Sequence, residues 1–92
     1  MRLNVPSKVT ALIREMHPTL KKKVRAGLKK ILDNLSEGKA LRFELKGLWS
    51  FRIGSFRIIY RIQKNTLDIV ALGPRARIYE ETYRLIKKQP PL

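Results

Sequence analysis

The sequence predicts an α+β domain: an N-terminal helical hairpin packed on an antiparallel sheet of about four to five strands, with a short C-terminal helix. Three observations carry that expectation. Apolar residues recur at helical spacing from Val9 to Leu35, switch to a period of two after Gly38, and return to helical spacing after Gly73-Pro74. Helices kept apart from a run of strands are the mark of the α+β class. At 92 residues, with no linker and no internal repeat, residues 1–92 read as a single domain.

The elements follow in order. Residues 1–5 are short and alternating and suit an edge strand. Pro6-Ser7 signals a helix start with Ser7 as the N-cap, and Val9, Leu12, Ile13 and Met16 form its apolar stripe. His17-Pro18 ends that helix, because a residue before proline avoids the α region. A second helix begins near Thr19, with Leu20, Val24, Leu28, Ile31 and Leu35 as its stripe and Gly38 as its C-cap. A junction this tight makes an antiparallel hairpin.

Leu41, Phe43 and Leu45 then alternate with Arg42, Glu44 and Lys46, the pattern of a strand. Gly47 breaks that run, and residues 49–53 form the next strand. Gly54-Ser55 is a two-residue hairpin signal, followed by an aromatic and β-branched strand over 56–62. Lys64-Asn65 turns the chain into a strand over 67–72, which Gly73-Pro74 closes. Ile78, Tyr79, Thr82, Leu85 and Ile86 mark a short last helix, and residues 89–92 read as a frayed tail.

Composition narrows the function. Hydrophobic residues make up 43% of the chain, too many for a disordered segment. Cysteine is absent, so no disulfide or thiolate metal site is available, which suits a reducing cytoplasm. No apolar run approaches the roughly 20 residues of a membrane span, and the N-terminus lacks a signal-peptide core. The dominant feature is charge: 21 Lys plus Arg against 7 Asp plus Glu, a formal +14. Such an excess points to a polyanionic partner, and nucleic acid is the first choice over an anionic membrane or an acidic protein.

The charge is also placed. No acid lies between Leu45 and Leu67, an interval that holds Lys46, Arg52, Arg57, Arg61 and Lys64. Alternation puts Arg57, Ile59 and Arg61 on one strand face, with Phe56, Ile58, Tyr60 and Ile62 on the other, which is the natural core. Arg57 and Arg61 then share an open face with Arg52 of the neighbouring strand. Any one of them suits a solvated face. Three arginines on adjacent strands without an acid to pair them suit a phosphate. Lys21, Lys22, Lys23, Arg25, Lys29 and Lys30 read as the solvated face of the second helix, with ribosomal RNA as the alternative contact.

Familiar catalytic sets are missing. The one histidine, His17, sits before a proline in a local structural position, so a two-histidine nuclease is excluded. The seven acids form no metal-binding cluster, and Ser50 has no readable triad. Gly54 and Gly73 belong to turns rather than to a phosphate loop. The residues call for no cofactor and no metal.

The stretch from Leu45 to Ile62, LKGLWSFRIGSFRIIYRI, resembles the central signature of the RelE/ParE toxins of type II toxin–antitoxin systems. That family reads L-x-G, an aromatic, then x-x-R-hydrophobic-G-x-aromatic-R-hydrophobic-hydrophobic-Y. The later stretch from Leu72 to Tyr79, LGPRARIY, resembles the family's ending, G-x-R-x-x-hydrophobic-Y. The superfamily holds both messenger-RNA endonucleases and gyrase inhibitors.

Matched one at a time, the residues resemble the RelE-like branch. Arg57 falls on the arginine that stabilises the charged phosphate, Arg52 on a strand cation with the same task, and Arg75 on the second phosphate-facing arginine. Tyr79 falls on the tyrosine that stacks on a base. Ser50 stands where RelE has a lysine, and Lys39 where the YoeB branch has its glutamate base. The resemblance implies a cytoplasmic, ribosome-dependent endoribonuclease in which the RNA 2′-hydroxyl attacks the adjacent phosphate without a metal. Lys39, Arg42, Lys46, Arg61 and Arg77 are then RNA-contact candidates. The implied partners are a cognate antitoxin, the ribosome and mRNA, with no membrane. A gyrase inhibitor and a non-catalytic RNA-binding member are the alternatives.

Overall fold

The computed structural model describes residues 1–87. Five strands, three helices and one 3₁₀ turn follow in the order β1 (Arg2–Asn4), α1 (Ser7–Arg14), α2 (Pro18–Asp33), β2 (Lys39–Ala40), the 3₁₀ turn (Phe43–Leu45), β3 (Trp49–Ile53), β4 (Phe56–Gln63), β5 (Thr66–Pro74) and α3 (Ile78–Lys87). The strands form one sheet in the order β1-β5-β4-β3-β2. The fold class is the expected one. The sheet is mixed, because the short edge strand β1 runs parallel to β5 while the other pairs are antiparallel. The expected tail over 89–92 lies outside the described residues. Among those described, no helix is long and apolar enough to cross a membrane.

The helix starts are set by two prolines. Ser7 is not the cap of α1. Pro6 occupies that position at φ −59° and ψ 149°, with no side-chain cap bond. Its ring already holds the extended conformation that precedes a first turn, and its carbonyl accepts from Thr10 N at 3.0 Å. α2 begins one residue earlier than Thr19. Pro18 takes the first helical position, and His17 Nδ1 accepts from the Thr19 amide at 3.2 Å. His17 is therefore a helix cap.

α2 ends at Asp33, with Asn34 as its extended C-cap, so Gly38 does not cap it. Gly38 answers a different demand. A Cβ there would lie 2.6 Å from Tyr60 Oη and 2.8 Å from the Ser50 carbonyl oxygen. The Gly38 amide donates to Tyr60 Oη at 3.0 Å, and that hydroxyl donates to the Leu35 carbonyl at 2.9 Å. Tyr60 is fully buried, and burial is the main reason its phenol titrates above its ordinary range.

The alternating run over 41–45 is not a strand. Pairing stops at Ala40, and the chain reverses through Phe43 at φ +55°. The same residues fit a second spacing: Leu41, Leu45 and Leu48 are four and three apart, and a turn brings all three to the sheet. The Leu41 amide closes this segment on the Leu48 carbonyl at 2.9 Å. The hairpins after β3 and β4 fall where expected, with Gly54 at φ +59° and Lys64 at φ +48°.

Two cores flank the sheet. On one face α1 and α2 bring Val9, Val24 and Ile31 against Ile53, Ile58, Tyr60, Leu67, Ile69 and Leu72. On the other, Leu48, Ile59, Ala71 and Ile78 make a smaller core under α3 and the 41–48 segment. This second face is not the water-exposed one that alternation alone predicts: Ile59 is fully buried there. A β-bulge adds a residue to this core. Pairing runs Ile59↔Ala71 and then Tyr60↔Ile69, so Val70 is extra, and both Val70 and Ala71 face α3.

Candidate functional site

The uncovered end of the α3 face lies where β3 and β4 meet their hairpin. There Arg52 and Arg57 are direct register partners. Like charges placed opposite one another on a sheet repel, so this pair is a local cost. Among the described residues the salt bridges are Arg61–Asp68 and Arg84–Glu80, and neither Arg52, Arg57 nor Arg75 takes part in one.

Arg57 is half-buried and aimed. Its Nη1 donates to Ser50 Oγ at 3.0 Å, and Ser50 Oγ lies 3.1 Å from Tyr79 Oη. Ser50 is 1% exposed, so this hydroxyl is an internal strut that joins β4 to α3 through β3. Arg57 Nε is buried without a hydrogen-bond partner, which leaves part of its donor fork unused. Tyr79 is half-buried against the smaller core, so its ring packs while its hydroxyl meets the strut.

Arg52 is exposed, and its Nε donates to the Gly54 carbonyl at 3.2 Å. The Arg75 amide donates to the Ser55 carbonyl at 2.8 Å, which ties the end of β5 to the β3–β4 hairpin. A shallow depression is lined by Arg52, Gly54, Ser55, Pro74, Arg75 and Ala76. The three expected catalytic arginines thus gather at one end of the sheet, with Tyr79 linked to Arg57 through Ser50. A planar guanidinium suits a phosphate because it offers parallel N–H donors to two oxygens.

The remaining expected residues separate into four places. Lys39 is exposed on β2, in register with Ser50. Arg42 and Lys46 flank the 3₁₀ turn, and Arg77 is exposed just before α3. Arg61 differs from its expectation. Its Nη2 meets Asp68 Oδ2 at 2.9 Å, and Asn4 Nδ2 donates to the other carboxylate oxygen. The hydrogen bond from Arg61 is the main cause that holds the Asp68 carboxyl below its ordinary range. The acid that pairs Arg61 lies on β5, one residue beyond the acid-free interval, so counting acids along one stretch missed it.

Among the described residues no carboxylate forms a salt bridge with Arg52, Arg57 or Arg75. Glu81 of α3 reaches the same part of the sheet. Its Oε2 lies 3.6 Å from where a Gly73 Cβ would be, and Gly73 is the β5 partner of Arg57. The signal was available: Glu81 follows Ile78 by three residues, so both overlie one strand position. Among the described residues no three His, Asp or Glu side chains gather as a metal site requires.

Comparison with known proteins agrees with this architecture. The family described as the ParE toxin of type II toxin–antitoxin system, parDE, matches residues 8–79. The RelBE2 toxin–antitoxin complex of Mycobacterium tuberculosis contains a similar chain, 26% identical, with a TM-score of 0.66 over 80% of this chain and 96% of that one. A mutant of Escherichia coli toxin RelE in the free state shares the fold, with 14% identity and a TM-score of 0.72 over 96% of this chain and 97% of that one. No curated protein sequence gives a significant match. With the family's pattern running from α1 to the Tyr79 that meets Ser50, the chain belongs to the ParE toxin family of type II toxin–antitoxin systems, within the RelE/ParE superfamily.

Proposed function

We propose that this toxin cuts messenger RNA on the ribosome and so stops translation. The observation that carries the reading is the Arg52–Arg57 pair: two arginines in direct register on neighbouring strands, neither in a salt bridge among the described residues, with Arg57 held toward Tyr79 by a buried hydroxyl. An anion bound at this end of the sheet offsets the repulsion between the paired cations.

In the proposed reaction the RNA 2′-hydroxyl attacks the adjacent phosphorus, a cyclic phosphate forms, and the 5′-oxygen of the next nucleotide leaves with a proton. Arg57, Arg52 and Arg75 stabilise charge on the equatorial oxygens as it develops. Tyr79 orients the nucleotide by stacking, a contact of roughly 1–3 kcal/mol per base. Lys39, Arg42, Lys46 and Arg77 grip the RNA backbone. The ribosome supplies the in-line geometry that so small a surface does not impose alone. The cellular setting is the cytoplasm. The partner that restrains the toxin is an antitoxin, as in the RelBE2 complex, and Tyr83 and Leu85, each 39% exposed on α3, offer it apolar surface.

A second reading is inhibition of gyrase, the other activity that the sequence resemblance implies for the superfamily, and the matched family is described as a ParE toxin. It assigns no task to Arg57, Arg75 and Tyr79 together. Primer extension on total RNA after induced expression separates the two. The proposed reading expects new 5′ ends inside translated frames and normal gyrase supercoiling. Intact messages with blocked supercoiling would establish the rival.

A further inference from the structure

We infer that Phe43 is a stacking platform for a single-stranded RNA base, set among the backbone-gripping Arg42 and Lys46. The inference rests on the proposed reading only in its choice of RNA as partner. Three observations carry it. Phe43 is 85% exposed, far more than any other large apolar side chain among the described residues. Its backbone sits at φ +55°, where the chain turns to carry Leu41 and Leu45 to the smaller core. Its sequence neighbours include the exposed Arg42 and Lys46, with Lys39 just upstream and Glu44 the one acid of the segment.

A lone exposed apolar residue is ordinary. One held in the left-handed region is not, because glycine would make the same turn without a Cβ penalty. The turn is fixed, with the Leu45 amide on the Arg42 carbonyl and the Lys46 amide on the Phe43 carbonyl, both at 3.1 Å. The ring is therefore presented at a local cost that packing within this chain does not return. An aromatic face set among cations is the arrangement by which proteins hold unpaired bases: the ring stacks and the cations meet phosphates. The formal +14 of the chain favours that occupant over an apolar protein surface.

The test uses the purified full chain and a single-stranded 2′-O-methyl RNA of about twelve nucleotides carrying 2-aminopurine, which has no 2′-hydroxyl to attack. The wild type should quench the fluorescent base on binding. Phe43→Ala should abolish the quench and weaken binding about tenfold without changing the salt slope. Phe43→Trp should retain both. Arg42→Ala and Lys46→Ala should each lower the salt slope by about 0.7. Phe43→Gly should raise the melting midpoint yet lose the quench, the signature of a residue kept against local stability. Unchanged affinity and quench in Phe43→Ala would overturn the inference. So would intact RNA binding with a weakened complex with a co-expressed antitoxin, which assigns the ring to a protein. Cleavage on programmed ribosomes is read separately. Phe43-dependent binding without cleavage removes the proposed function alone, and Arg57-dependent cleavage with a silent Phe43→Ala removes this inference alone.

Discussion

Arg57 Nη1 lies 3.0 Å from the Ser50 hydroxyl, and the same hydroxyl lies 3.1 Å from Tyr79 Oη. A buried serine thus fixes the approach of an arginine and anchors a helix at once. Ser50→Ala removes the strut without removing a charge. We expect a stability loss of about 1–3 kcal/mol, the net worth of the two hydrogen bonds that the hydroxyl makes. Toxicity should fall between wild type and Arg57→Ala, read as growth after induction. A Ser50→Ala protein as toxic as wild type would show that Arg57 needs no such guide.

Arg57 and Arg75 are predicted to carry the toxicity itself. Induced expression without an antitoxin should arrest growth and translation. Arg57→Ala should relieve the arrest, and Arg57→Ala with Arg75→Ala should abolish it. The double variant being as harmful as wild type would remove the phosphate role from both.

Gly38 and Tyr60 test the joint between α2 and the sheet. Gly38→Ala forces a Cβ to within 2.6 Å of Tyr60 Oη and 2.8 Å of a backbone oxygen, neither of which can yield cheaply. Tyr60→Phe strands the Gly38 amide and the Leu35 carbonyl. Each change should cost about 1–3 kcal/mol in urea unfolding, while Gly47→Ala, with open space around it, should owe its cost to its positive φ alone.

The Arg61–Asp68 pair predicts an acid-dependent stability. Its folded-state pKa is depressed, so its contribution is present above the unfolded value of about 3.9 and is lost as pH falls through the lower folded value. The melting midpoint of Asp68→Asn should sit below wild type near pH 7, and the gap should close below about pH 3. Because Arg61 is 38% exposed the gap should be small and shrink in salt. A constant gap across that range would mean that shape, not charge, sets the effect.

Element type was legible wherever one periodicity stood alone. Residues 49–53 alternate and are flanked by glycines, and the strand has those bounds. The run over 41–45 fitted periods of two and of four, and tertiary packing of Leu41 and Leu45 chose between them. Arg52, Arg57, Arg75 and Tyr79 were legible as a group because a motif fixes register. The partners of those residues were not. Asp68 reaches Arg61 from β5, and Glu81 reaches Gly73 from α3, and only the sheet order and the packing of α3 determine those approaches.

Proton transfer is the last point open to test. Arg52, Arg57 and Arg75 offer hydrogen-bond donors and no acceptor, so none of them takes up a proton. The single imidazole, His17, caps α2 and is not among them. If catalysis rests on charge and positioning, single-turnover cleavage on ribosomes should show no bell between about pH 6 and 8. Arg57→Lys should impair it, since a point charge lacks the planar fork. His17→Gln and Glu44→Gln should leave the rate and profile unchanged. Glu81→Gln is the decisive variant, because its carboxylate lies beside Gly73, the partner of Arg57. A general base contributes about 10²–10⁴-fold, so a loss under tenfold assigns Glu81 to tuning the field of the arginines. A loss of about a hundredfold or more would make Glu81 the proton acceptor, and the charge-only mechanism would give way to one in which α3 supplies the base.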